Sequence, residues 1–124
     1  MSTRSNIGMV LENGTFRNIY CHNDGYPSGV GKTLVKHYTD PEKVKALLDL
    51  GNISSLGDSI ECPAGHSFEN PVKGFTVAYD RDRGENGQEA LVSTRPKCEE
   101  EYLYIFNKGK WACEDDRGKV ISLD

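Results

Sequence analysis

At 124 residues the chain is long enough for one hydrophobic core and too short for two, and 36% hydrophobic with 27% charged residues, 13 Gly and 5 Pro fits neither a disordered nor a membrane protein. Multidomain enzymes are excluded, and a single domain over residues 1–124 is expected. Fifteen basic against nineteen acidic side chains leave a formal charge of −4, with no Lys/Arg run able to displace counterions from a duplex, which argues against general nucleic-acid binding.

In chain order, Ile7, Met9 and Leu11 alternate ahead of Asn13-Gly14 and Phe16 to His22 follow, the strongest local signal for a hairpin with a two-residue turn. Pairing through that turn sets Leu11 opposite Phe16 and Ile7 opposite Tyr20 on the expected core face, with Val10, Arg17, Ile19 and Cys21 on the other. The run from His22 to Gly31 is rich in turn formers and reads as a loop. Val30, Leu34 and Tyr38, with Val35 beside them, form the apolar stripe of a short helix, for which Ser28 is the expected N-cap. A second helix opens on Asp40, Pro41 and Glu42, buries Val44, Leu47 and Leu48, and stops at Gly51. Residues 52–73 show little periodicity and read as a long surface excursion. Phe75, Val77 and Tyr79 alternate as a strand, the sequence DRDRGENG reads as a hairpin tip, and Leu91 to Thr94 return. Leu103 to Phe106 suit a central strand, which turns at Asn107-Lys108-Gly109 into Lys110 to Cys113, and a last strand covers Lys119 to Leu123. The sum is an α+β fold: an antiparallel sheet of about five or six strands, opening with a hairpin, with two helices on one face.

Phosphate chemistry is suggested first by Gly29-Val30-Gly31-Lys32-Thr33, but Tyr26 stands where a nucleotide-binding loop needs its first glycine, so NTPase activity is not expected. Glycines opening a helix still aim N–H groups outward, and Lys32 adds charge. Arg81 and Arg83 add guanidinium forks suited to phosphate, and Tyr20, His22, Asp24 and Tyr26 add stacking faces and hydrogen-bonding groups. The expected site therefore joins Tyr20, His22, Asp24, Tyr26, Gly29, Gly31, Lys32, Arg81 and Arg83 in one anion pocket. Alanine at Lys32, Arg81 or Arg83 should then remove the ligand with little effect on stability.

Cys62 and His66 resemble half of a zinc knuckle but lack a partner pair, and Cys21 and His22, adjacent on a strand, diverge to opposite faces. Neither a metal nor a cofactor is expected, and no nucleophile is set beside a base; His22 with Asp24 is the best acid/base pair for a small nucleotide-cleaving enzyme. Nothing reaches the ~18 apolar residues of a membrane span, and the polar start Met1–Asn6 has no apolar run behind it. A cytoplasmic chain is expected, with Cys21, Cys62, Cys98 and Cys113 as thiols. Acidic strand ends at Glu99-Glu100-Glu101 and Asp115-Asp116 suit a basic protein partner. Open edges in so small a sheet suit a homo-oligomer.

Ile19-Tyr20-Cys21-His22-Asn23-Asp24-Gly25-Tyr26-Pro27, the tract Leu47 to Gly57, His66 to Pro71, Ala78 to Glu85 and Glu101 to Phe106 ending at Trp111 together resemble a set of small, largely uncharacterised phage and prophage proteins. Their pattern reads Tyr-Cys-His-Trp-Asp-Gly-Tyr-Pro, and this chain departs from it at Asn23. The resemblance implies a phage or mobile-element protein in the host cytoplasm that counters bacterial defence, and the lack of a nucleophile, base or metal at persuasive spacing makes a non-enzymatic role the expectation. Sequestering a small phosphorylated, nucleotide-type ligand is the leading expectation, and direct inhibition of an immune nuclease or effector is the alternative.

Overall fold

The computed structural model describes residues 3–96 and 100–123. Strands β1 (Ser5–Val10) and β2 (Phe16–Cys21) form the expected hairpin, one residue away from the expected register. Val10 faces Phe16 and Ile7 faces Ile19. The cause is a three-residue turn: Leu11 N–H donates to Thr15 O (2.8 Å), Gly14 N–H donates to Leu11 O (2.9 Å), and Gly14 takes φ +85°. Asn13 Oδ1 fixes this turn by accepting from Thr15 N–H (3.1 Å) and Oγ1–H (2.6 Å). Because side chains alternate, the one-residue slip reassigns the faces: Ile7, Ile19 and Cys21 enter the core, while Phe16 and Tyr20 lie on the outer face. Phe16 covers Gly8, where a Cβ would collide with its ring.

Strands β3 (Ile53–Ser55), β4 (Val77–Ala78), β5 (Leu91–Ser93), β6 (Tyr102–Asn107), β7 (Lys110–Asp115) and β8 (Val120–Ile121) extend the sheet to eight strands, more than expected. The order is β4-β3-β2-β1-β6-β7-β8, with β5 beside the first half of β2. The sheet is mixed rather than antiparallel throughout, since β1 pairs with β6 and β2 with β3 in parallel. β3 sits inside the stretch expected to be irregular; three residues are too few to show a hydrophobic period.

Two helices cover one face, as expected. Helix α1 (Lys32–His37) continues a π-helical turn at Pro27–Gly31, so Ser28 lies within the coil and caps nothing. Val30, Leu34 and Tyr38 are buried, but Val35 is on the solvent side. Helix α2 (Pro41–Asp49) starts as expected, with Asp40 Oδ1 accepting from Glu42 N–H at 2.9 Å, and buries Val44, Leu47 and Leu48. These side chains pack on Ile7, Ile19, Cys21, Ile53, Ala78, Tyr104, Phe106 and Cys113 from the sheet. Each fully buried leucine or isoleucine contributes about 1.5–3 kcal/mol. Tyr38 ties the layers together: its hydroxyl donates to Gly57 O (2.7 Å), and its carbonyl accepts from Trp111 Nε1–H (2.8 Å). The segment expected to be a hairpin tip is instead helix α3 (Tyr79–Arg83), ended by Gly84 at φ +78°. Among the described residues, no helix is long and apolar enough to cross a membrane.

Candidate functional site

The nine residues expected to share a pocket fall into three groups. The first is the turn from Asp24 to Lys32. Gly29 N–H donates to Tyr26 O and Val30 N–H to Asp24 O, both at 2.9 Å, and Lys32 N–H donates to Gly29 O and Pro27 O. These amides close the chain on itself instead of pointing at an anion, so a phosphate cradle does not form here. Gly31 packs on the Tyr104 ring and Leu123, Lys32 is exposed, and Asp24 (φ +56°) accepts from the Tyr26 hydroxyl at 3.2 Å. That hydrogen bond raises the pKa of Tyr26 above the ordinary phenol value. Among the described residues no hydrogen bond or ion pair joins Asp24 to His22: Asp24 pairs with Tyr26 and His22 with Tyr20.

The second group is the pair of arginines on α3, which the fold separates from the glycine turn. The turn rests against β1, β6 and Leu123, whereas α3 follows the end strand β4, with β3 and β2 in between. Arg81 is spent on the protein itself. Nη1 donates to Ile60 O, Nη2 to Thr76 O (2.9 Å), and Nε and Nη2 to the two oxygens of Asp82 (2.9 and 3.0 Å). Asp82, its side chain 1% exposed, also accepts from Ala78 N–H at 2.8 Å, tying the first turn of α3 back to the end of β4. Burial opposes the Asp82 charge, but the hydrogen bonds from Arg81 and Ala78 outweigh it and hold the carboxyl below its usual range. His66 completes the cluster: Nδ1 accepts from Val72 N–H (2.9 Å), which assigns the ring proton to Nε2, facing Thr76 O (3.1 Å) and Asp82 (3.4 Å). This cluster staples the 57–76 segment to α3, and His66 is engaged within it rather than in a zinc knuckle with Cys62. Arg83 points the other way, its guanidinium 4.9 Å from the Phe68 ring centre and 3.2 Å from Glu85.

The third group, Tyr20 and His22, share a 2.7 Å hydrogen bond on the outer face, while Cys21 between them is fully buried. Burial pushes the Cys21 thiol up to about 12, which removes it as a nucleophile. Tyr20 belongs to a longer row that sequence reasoning missed. Its N–H donates to Asn52 Oδ1 (2.9 Å), while Tyr79 N–H, at the start of α3, donates to Asn52 O (3.2 Å), so Asn52, just before β3, ties the backbone of β2 to that of the β4–α3 junction. Phe68 stacks 5.7 Å from Tyr79 and lies under Arg83. At the other end, Tyr20 feels both Arg4 and Glu100; partial burial, with Glu100 adding to it, outweighs Arg4 and lifts its phenol pKa. The result is a strip, His22–Tyr20–Asn52–Tyr79–Phe68, with Arg83 over its far end and a 390 Å³ concavity lined by Ser67, Phe68, Glu69, Asp82 and Arg83. The alternation Phe75, Val77, Tyr79 reads as a strand, whereas Tyr79 opens α3, and no local signal brings Phe68 or Asn52 beside it.

Cys98 and Glu99 lie outside the described residues. No protein-family model matches the sequence, and neither the curated proteins nor the solved structures contain a match.

Proposed function

We propose that the chain is a non-enzymatic binding protein of phage or mobile-element origin that counters host defence by holding a small phosphorylated, ring-bearing ligand of nucleotide type on the outer-face strip. One observation carries this reading: Asn52 ties the backbones of Tyr20 and Tyr79 together, and Phe68 packs on Tyr79 beneath the Arg83 guanidinium. Aromatic faces supply stacking, and a guanidinium supplies a bidentate fork for phosphate. Capture needs nothing more. Catalysis needs a placed nucleophile or base, and here Cys21 is buried while His66 is locked between backbone partners.

Thermal melting against a panel of nucleotides tests it, because a ligand that binds only the native state raises the midpoint by mass action. Phe68→Ala and Arg83→Ala should abolish that rise, and Lys32→Ala should leave it intact. Protein from infected cells should release intact ligand on heating. A panel without effect, together with an empty release, overturns the reading, and a chemically altered ligand identifies a nucleotide-cleaving enzyme instead.

A second reading, a protein-directed inhibitor of an immune nuclease or effector, is favoured by the acidic end of the sheet. The pairing of Tyr102 with Asp115 gathers Glu101, Asp115 and Asp116 around a 410 Å³ concavity that also holds Arg117. Lys119 N–H and Arg117 N–H, donating to Asp115, outweigh its slight desolvation and keep that carboxyl below the usual range. Recovery of a basic host protein on the wild type but not on a Glu101→Lys/Asp116→Lys variant supports this reading over the first.

A further inference from the structure

We propose that the groove between helix α1 and the β7–β8 hairpin is a second ligand site, which takes a small amphiphilic anion: an apolar alkyl or aryl body ending in a carboxylate, sulfonate or phosphate. The groove has a volume of 510 Å³, inside the range of roughly 300–1,000 Å³ usual for small-molecule sites. Its apolar lining comes from Val35 on α1, Trp111 and Ala112 on β7, Val120 and Ile121 on β8, and Leu123 beyond them. Val35 and Val120 are 36% and 72% exposed, so apolar surface left in water is gathered on both walls of this one groove. The floor is already built. Trp111 packs 5.0 Å from the Phe106 ring and donates its indole N–H to Tyr38 O, and Leu123 sits so close to Gly31 that a Cβ there would collide with it. A ligand therefore need not order the site on entry.

The charge around the groove runs against that of the molecule. The chain carries a formal charge of −4, yet among the described residues no Asp or Glu lines the groove, while Lys110 does. Glu114, opposite Val120 in the sheet, stands outside the lining. Lys32, three positions before Val35, shares its side of α1, and Lys36 follows it. All three lysines are exposed, and among the described residues none forms an ion pair within the chain.

Size and sign together choose the occupant. Helix α1 has six residues and β8 has two, so the walls are about 9 Å long at most, shorter than the ~10 Å over which a docked peptide helix spaces its anchors. A second copy meeting this face about a two-fold axis would set lysine against lysine. A small apolar body with its anionic end at the ammonium groups satisfies both the lining and the rim. The inference is independent of the nucleotide reading, since the groove lies at the β7–β8 end of the sheet and the aromatic strip at the other.

Amide chemical-shift titration of the isotope-labelled chain with decanoate, decanol and decylammonium tests it, with circular dichroism confirming the fold of each variant. Decanoate should shift Val35, Trp111, Val120 and Ile121, leave Phe68 and Tyr79 in place, and bind about tenfold more tightly than either counterpart. Val35→Glu should abolish binding, Lys110→Glu should weaken it about tenfold, and Phe68→Ala should leave it unchanged. A groove that does not respond to decanoate, decylammonium binding as well as decanoate, or affinity untouched by Lys110→Glu overturns the proposal. Association with phosphatidylglycerol vesicles without any response to free decanoate identifies a membrane surface instead and also overturns it. If Val35→Glu does not fold, Lys110→Glu at an exposed position still decides.

Discussion

Arg81 and Arg83 stand two positions apart in an alternating acid-base run, and nothing local distinguishes them. The fold gives them opposite duties. Arg81 satisfies Ile60 O, Thr76 O and the buried Asp82 carboxylate, while Arg83 lies 54% exposed over Phe68. Arg81→Ala leaves Asp82 without its cation and two carbonyls without donors. Breaking a buried charge pair costs about 3–5 kcal/mol, and because the guanidinium is 26% exposed the expected loss is about 2–3 kcal/mol. Arg83→Ala should change stability by less than about 0.5 kcal/mol. Urea denaturation of the two variants checks the split. The sequence-based expectation that both arginines act on a ligand fails for Arg81 because the residues that consume its donors lie up to 21 positions away.

At the scale of elements, legibility followed the strength of local chemistry. Helix α2 was readable because Asp40, Pro41 and Glu42 each satisfy a separate requirement of a helix start; Asp40→Ala should cost about 1 kcal/mol, measured by thermal or urea unfolding. The start of α1 was misread because a π-helical turn needs no side-chain cap and uses Pro27 and its own carbonyls instead. Helix α3 was hidden for a related reason. Its N-cap, Ala78, has no capping side chain, and Asp82, inside the helix, instead reaches back to accept from the Ala78 N–H. In the hairpin, Asn13-Gly14 marked the turn correctly, but a three-residue loop and a two-residue loop share that dipeptide, and the choice between them decided which face Tyr20 occupies.

For the whole molecule, the α+β class and the helix-covered face were readable from periodicity, while the parallel pairings of β1 with β6 and β2 with β3 were not, because they join segments distant in sequence. The outer-face strip was out of reach for the same reason: Tyr20, Asn52, Phe68 and Tyr79 come from four separate segments. The acid groups set limits on stability from both sides of neutrality. Asp82 and Asp115 have folded pKa values below the ordinary 3.8, so their contributions are present above that pH and disappear as acid protonates them in the fold. Burial raises Cys21 and Tyr38 to about 12 from 9.0 and 10.0, so their contributions are present below those ordinary values and are lost as pH climbs toward 12. The thermal midpoint should therefore be flat between about pH 5 and 9 and fall on both sides. Asp82→Asn should lower the plateau and soften the acid limb.

Strand β1 has a further consequence for how the molecule comes into being. It is made well before one of its two neighbours, β6, which begins only at Tyr102. During synthesis the hairpin therefore emerges with one side of its first strand unsatisfied, and it waits for the chain through β6 to leave the ribosome before the centre of the sheet can close. A nascent chain arrested before that point exposes Ile7 and Met9 on a naked ladder, the form in which cellular chaperones and proteases would meet it.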